Sequence, residues 1–146
     1  MKPTVDLFGG KNAQTPGAIN VDISADIQSG IRADARQLPF KDDSVGEIVA
    51  SKPFIPKEAG GTFSMMDYLP EATRVVEPGG KIFINANAAN PYGKLPSASD
   101  LESLGVRVVQ DGPLNSRFSG QTFLRTDGSV ITNLDSMKTI VLEKIK

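Results

Sequence analysis

At four points in the chain a short apolar run gives way to small or acidic residues: Asp6 with Gly9-Gly10, Asp22, Asp34, and Ser51-Lys52-Pro53-Phe54. Each residue type brings a chemistry. Glycine lets a ligand come close to the backbone. A carboxylate has two accepting oxygens, so Asp22 could take both hydroxyls of a ribose and Asp34 could read an adenine amino group. Taken singly, Gly-Gly is an ordinary turn and an acidic residue an ordinary turn or helix cap. Their recurrence at successive run ends is what points to a bound ligand.

Other chemistries are excluded by composition. The 146 residues hold no His and no Cys. Ser-His-Asp and Cys-His mechanisms, thiolate nucleophiles and Cys-ligated zinc are therefore ruled out, while a carboxylate-only Mg²⁺ or Ca²⁺ site stays open. For proton removal the candidates are Glu58, Asp67, Tyr68 and Tyr92, and spacing singles out none of them. With 16 basic and 17 acidic residues the net charge is −1. That is no general signal for nucleic-acid or membrane-surface binding. No apolar run approaches the ~20 residues of a membrane span. Met1-Lys2-Pro3-Thr4 leads straight into Val5-Asp6-Leu7-Phe8 with no signal-length apolar stretch. The expectation is one cytoplasmic domain over residues 1–146, or a piece of a longer protein.

The elements that must position these residues can be read from the runs. Strands are expected at Thr4–Phe8, Ala18–Val21, Ile31–Ala33, Glu47–Ala50, Lys81–Asn85, Val106–Val109 and Thr139–Ile145. A helix is expected to begin at Pro70 and to stop before Pro78-Gly79-Gly80, since Met66, Leu69, Ala72, Thr73 and Val76 follow helical spacing. Ser97–Leu104 should be a second helix, capped by Ser97 or Ser99 and closed by Gly105. Ser24–Ser29 has room for a turn or two. The pattern predicts an α/β domain with a mostly parallel sheet, whose ligands bind beyond the carboxyl ends of the strands. Between the first two strands lies only Gly9–Gly17, with no helical pattern. Either an extended loop joins them or they are not simple parallel neighbours.

Two stretches then resemble a known family. Asp34-Ala35-Arg36-Gln37-Leu38-Pro39-Phe40 through Ile48-Val49-Ala50-Ser51 looks like the middle of a class I S-adenosylmethionine-dependent methyltransferase. Tyr68-Leu69-Pro70-Glu71-Ala72-Thr73-Arg74-Val75-Val76-Glu77-Pro78-Gly79-Gly80 and Lys81–Ile84 look like that family's later helix, turn and fifth strand. Val5–Gly10 resembles the glycine-rich first motif in reduced form and Ile19–Ile23 the second. The resemblance implies a Rossmann-like, mostly parallel sheet of about seven strands with an antiparallel C-terminal strand and few helices. It implies S-adenosylmethionine as cofactor. Asp6, Gly9 and Gly10 would line its methionine part, Asp22 its ribose, and Asp34 with Ala33 and Ala35 its adenine. Ser51, Pro53 and Phe54 would border the methyl-transfer site. Arg74 and Pro78-Gly79-Gly80 would be structural.

The methyl acceptor, a small molecule or a macromolecule, is unidentified. Ser51-Lys52-Pro53-Phe54 matches only Pro and Phe of the Asn/Asp-Pro-Pro-aromatic motif of amino-nitrogen methyltransferases. Pro53–Gly61 is either a lid or a solvated connector, and Tyr92 in Ala86–Lys94 either contacts substrate or packs. Arg117, Phe118, Phe123 and Arg125 either stack on a ligand or divide into packed rings and solvated charges. Where the family turns from Gly-x-Gly into a helix, this chain runs from Gly9-Gly10 to Thr15-Pro16-Gly17 without one. The alternative reading is therefore a degenerate methyltransferase-fold binding module without catalysis, such as an effector or toxin module of a larger protein.

Overall fold

A computed structural model describes residues 2–25, 27–118, 129–130 and 136–145. Seven strands form one sheet: β1 Thr4–Leu7, β2 Ile19–Asp22, β3 Ile31–Arg32, β4 Val45–Ser51, β5 Val76–Asn87, β6 Val106–Pro113 and β7 Met137–Lys144, in the order β3-β2-β1-β4-β5-β7-β6. The first five strands pair in parallel, and β7 runs antiparallel between β5 and β6. The strand order reverses between β1 and β4, where an α/β sheet opens a crevice for ligands. The expected mostly parallel sheet with an antiparallel C-terminal strand is the one observed. β1 and β2 are parallel neighbours, in register Val5↔Ile19 to Leu7↔Val21, and the connection between them is a helix-free loop.

Helix α1, Leu69–Val75, starts with Pro70 in its first turn, as the spacing predicts. Its end departs from expectation. Val76 already belongs to β5, and the Pro78-Gly79-Gly80 turn lies inside that strand, where the ladder slips between Val45/Val76 and Glu47/Lys81. Helix α2, Ala98–Leu104, is capped by the Ser97 side chain, which accepts from the Asp100 N–H at 3.2 Å. It closes on Gly105 at φ 75°. The two stretches that carry the family resemblance are bonded to each other. Arg74 donates to the Leu38 and Phe40 carbonyls at 3.1 and 2.9 Å, and Glu71 accepts from the Leu38 N–H at 2.8 Å. Arg74 in turn holds the Glu71 carboxyl below its usual range.

Side chains alternate across the sheet. Val5, Leu7, Val21, Ile48, Ala50, Ile82, Ile84, Ile140 and Leu142 point to one face and form the main core with Leu69, Ala72 and Val75 of α1 and Leu101 of α2. The other face carries Asp6, Asn20, Glu47, Asn85 and Thr139, and its smaller apolar cluster is Val49, Phe83, Phe118, Met137 and Val141.

Candidate functional site

The loop after β1 is tied down by the strand it leaves. Asp6 is fully buried, and its carboxylate accepts from the Gln14 N–H at 2.6 Å, the Thr15 N–H at 3.1 Å and the Thr15 hydroxyl at 3.0 Å. Burial pushes the Asp6 carboxyl up, against the pull of those bonds. Asn20, its register partner on β2, donates to the Gly10 and Ser29 carbonyls at 3.0 and 3.1 Å. A Cβ on Gly9 would overlap Asn20 Oδ1, a buried atom with no hydrogen-bond partner. Glycine at position 9 thus lets the loop lie against β2. Gly10 differs: at φ 79°, a Cβ there would meet nothing. Gly10 N–H donates to Asp22 Oδ2 at 2.9 Å, and Asp22 Oδ1 accepts from the Ser24 N–H at 2.8 Å.

Beyond the carboxyl ends of β1, β2 and β3 lies a cleft of about 480 Å³, counting its open mouth. Its walls are Phe8, Val21, Ile23, Ala33, Ala35, Phe54, Ile55, Pro56 and Ala59, and its polar side chains are Asp22, Asp34 and Arg36. This is an apolar slot with a few convergent polar groups, the usual makeup of a small-molecule site. Asp34 accepts from Arg36 Nε at 2.9 Å, Arg36 Nη2 at 2.6 Å and the Arg36 N–H at 2.8 Å. Those bonds hold its carboxyl below the usual range. The segment from Pro53 to Gly61, with a 3₁₀ turn at Lys57–Ala59, supplies one wall of the cleft.

The end of β4 divides its residues between core and surface. Ser51 is buried, and its hydroxyl accepts from Asn85 Nδ2 at 3.3 Å. Asn85 Oδ1 accepts from the Thr139 hydroxyl at 2.7 Å. Pro53 is buried, with its carbonyl accepting from Asn90 Nδ2 at 3.0 Å. Tyr92 is buried too. Its hydroxyl accepts from the Phe63 N–H at 3.2 Å and lies 2.9 Å from Asp67 Oδ2 and 3.0 Å from the Ile55 carbonyl, either of which can take its one proton. Desolvation, then the Asp67 bond, raises the Tyr92 hydroxyl above its usual value. Tyr92 therefore acts from below, through the backbone of the segment it supports. Asp67 also accepts from the Thr62 N–H at 2.8 Å and from the Thr62 hydroxyl. Burial pushes its carboxyl up, but these bonds and the Arg36 charge outweigh that and leave it lowered.

Phe54 is 54% exposed and stacks on Phe63, also exposed, with ring centroids 6.1 Å apart. Both rings meet Tyr92 edge-on at 6.0 and 6.2 Å. Tyr92 continues through Tyr68 to Phe8, which lines the cleft. Phe8, Lys52 and Phe63 adopt left-handed φ values of 63°, 53° and 57° around this rim. Bulky residues rarely do so, and such conformations cluster at functional sites.

Of the expected site residues, Asp22, Asp34, Ala35 and Phe54 line one cleft, and Gly10 is bonded to it through Asp22. Asp6, Gly9, Ser51, Pro53 and Tyr92 lie under or behind it. Phe118 is packed and Arg117 covers it, while Phe123 and Arg125 fall outside the described residues. The sequence reading missed Phe8, Ile23 and Arg36 in the cleft and Phe63 on the rim. Position 36 stands two residues after Asp34, a distance at which an Asp side chain commonly closes a turn on the backbone; that was the available signal.

No family model and no curated protein sequence matches this chain. Solved structures do. A Haloferax volcanii protein described as a putative methyltransferase, in complex with the Trm112 methyltransferase activator, is similar at TM-score 0.61 and 15% identity, covering 99% of this chain and 83% of its own. A 16S rRNA (adenine(1408)-N(1))-methyltransferase from Catenulisporales acidiphilia gives 0.61 at 13% identity, covering 99% and 88%. The geranyl diphosphate C-methyltransferase of Streptomyces coelicolor A3(2), solved with Mg²⁺, geranyl diphosphate and S-adenosyl-L-homocysteine, gives 0.60 at 13% identity, covering 99% and 71%. The chain has the Rossmann-like fold of class I methyltransferases. Among the described residues no helix is long and apolar enough to cross a membrane.

Proposed function

We propose that residues 1–146 form one methyltransferase domain that binds S-adenosylmethionine in the cleft over β1 to β3 and passes its methyl group to an acceptor at the Phe54–Phe63 rim. The observation that carries this reading is Asp22. Its two oxygens each accept one backbone N–H, which leaves a lone pair on each for the paired hydroxyls of a ribose. The apolar walls at Ile23, Ala33, Ala35 and Ile55 suit the flat face of an adenine, with Asp34 at its edge. Gly10, open above its Cα, leaves room for the methionine part. The fold neighbours add support, since one of them was solved with S-adenosyl-L-homocysteine.

When bound, the cofactor supplies an already activated methyl group, so the protein has only to align the acceptor and exclude water. This chain does that with Phe54 and Phe63, held by Tyr92. Asp67, bonded to the Tyr92 hydroxyl that supports that wall and kept ionised by its bonds, is suited to accept a proton from the acceptor. Calorimetric titration of the full chain with S-adenosylmethionine and S-adenosylhomocysteine tests the reading. Saturable binding is expected, with Asp22→Ala weakening it about tenfold or more, the loss of charge-assisted bonds. No binding by the wild type at millimolar ligand would leave the fold standing and remove the activity.

One observation favours the second reading, a binding module without catalysis. Asp6 and Gly9 are committed to the loop itself, and Asp34 to Arg36. Such a module would keep its partner affinity in Asp22→Ala.

A further inference from the structure

Asp34, given to the adenine amino group in the reading above, already holds three donors. Oδ1 accepts from the Arg36 N–H and Nε, and Oδ2 from Nη2. Both lone pairs of Oδ1 are in use, and Oδ2 has one left. A bidentate guanidinium–carboxylate pair of this geometry is among the stronger pairings at a protein surface. A ligand base entering the cleft therefore has either one lone pair of Asp34 or must displace the fork.

Arg36 has somewhere else to go. Its guanidinium lies against the wall that carries Phe54, since a Cβ on Gly60 would sit 2.8 Å from Nη1. The Asp67 charge also acts on it from that side. Asp67 is bonded to Thr62 and Tyr92, the residues that hold the rim, and among the described residues its Oδ1 accepts only the Thr62 hydroxyl. Arg36 thus stands between two carboxylates, Asp34 in the base pocket and Asp67 at the foot of the acceptor wall.

From this geometry we infer that Arg36 is a specificity-determining residue that competes with the ligand's base for Asp34. Binding of an amino-bearing base moves the guanidinium from Asp34 towards Asp67. The inference rests on the cofactor reading and adds to it a residue to which the family resemblance gave no role. It carries two consequences. The fork discounts the advantage of a base that presents an amino group over one that presents a carbonyl. Occupation of the base pocket also delivers a cation to the carboxylate under Phe63.

The test measures affinities of wild type and Arg36→Ala for S-adenosylhomocysteine and for its inosine analogue, which has a carbonyl in place of the amino group. Removing the competitor should tighten S-adenosylhomocysteine about tenfold and leave the analogue unchanged. A fold defect would weaken both ligands together, so the ratio reports on Asp34 alone. Asp67→Asn should weaken S-adenosylhomocysteine several-fold in the wild-type background and not in Arg36→Ala, a coupling that a double-mutant cycle reads directly. Wild-type binding with an unchanged ratio in Arg36→Ala overturns the role of Arg36 and leaves the cofactor reading intact. No binding of either ligand by either protein overturns both.

Discussion

On one face of the sheet Val5, Leu7, Val21, Ile48, Ile82, Ile140 and Leu142 pack beneath α1 and α2; on the other, Asp6, Asn20, Glu47, Asn85 and Thr139 meet loops. A helix satisfies its own backbone and asks only for apolar contact. A loop laid on a sheet brings N–H and C=O groups that need partners once they are buried. Hence Asp6 takes the Gln14 and Thr15 N–H groups, and Asn20 takes the Gly10 and Ser29 carbonyls. The helix-free crossover between β1 and β2 is held by polar side chains of the strands it joins. The same polar face then runs on through Ser51, Asn85 and Thr139 across β4, β5 and β7.

The sharpest break in this contrast should come on the helix face. Leu69 is fully buried between α1 and the sheet. We expect Leu69→Ala to cost about 2–5 kcal/mol, the range for a leucine truncated in a core, read from the denaturant midpoint at unchanged slope. A loss under 1 kcal/mol would show that this face is not the main source of stability.

The loop face should fail by crowding instead. Gly9→Ala drives a methyl group into Asn20 Oδ1, and we expect a loss of about 1–3 kcal/mol, typical of overpacking. Asn20→Ser makes room while keeping a donor, so the double variant should lose less than the two single losses combined. Strict additivity would mean that the two residues do not press on each other.

Acid–base behaviour separates two carboxylates of that face. Asp6 is raised above its ordinary 3.8 by burial, so the unfolded chain ionises it first. Its contribution favours the folded state below 3.8 and declines as pH rises through the raised value. Glu47 is lowered from 4.5, first by its bonds to Arg117, so its contribution is full above 4.5 and is lost as pH falls through the lowered value. Midpoints measured from pH 2 to 8 should show a flatter decline above 3.8 for Asp6→Asn and a smaller acid loss below 4.5 for Glu47→Gln. Parallel profiles for both variants and the wild type would contradict the assignment.

These contrasts also mark where the sequence could be read and where it could not. Val5, Leu7, Ile48, Ile82 and Ile84 announce strands because burial needs apolar runs, and Pro70 and Gly105 announce helix ends because backbone geometry needs them. The join of α1 to β5 was misread because Pro78-Gly79-Gly80 signals a turn equally well between elements and as a slip within a strand. At the site, Asp22, Asp34 and Phe54 were legible as strand-end chemistry. That Gly9 answers to Asn20, that Asp6 answers to Thr15, and that Arg36 occupies Asp34 depend on how irregular loops close, and no periodicity records that.

The smallest effects test how the loop face is finished at its surface. Arg117 forks onto Glu47, at 3.0 and 2.6 Å, and its guanidinium lies 4.8 Å from the centre of the Phe83 ring. Arg107 donates twice to Glu143 Oε1, at 2.8 and 2.6 Å, with no aromatic ring beneath it among the described residues. An exposed ion pair alone contributes little, because water and salt screen it and the side chains lose freedom in making it. The ring beneath Arg117 adds contact that salt does not screen, so Arg117→Ala should cost about 1 kcal/mol and keep most of that cost at high ionic strength. Arg107→Ala should leave the midpoint unchanged within error under the same conditions. If instead both variants lost equal stability and salt removed both losses, the cluster of Val49, Phe83 and Phe118 would not need its arginine cover, and charge pairing would be the only work Arg117 does.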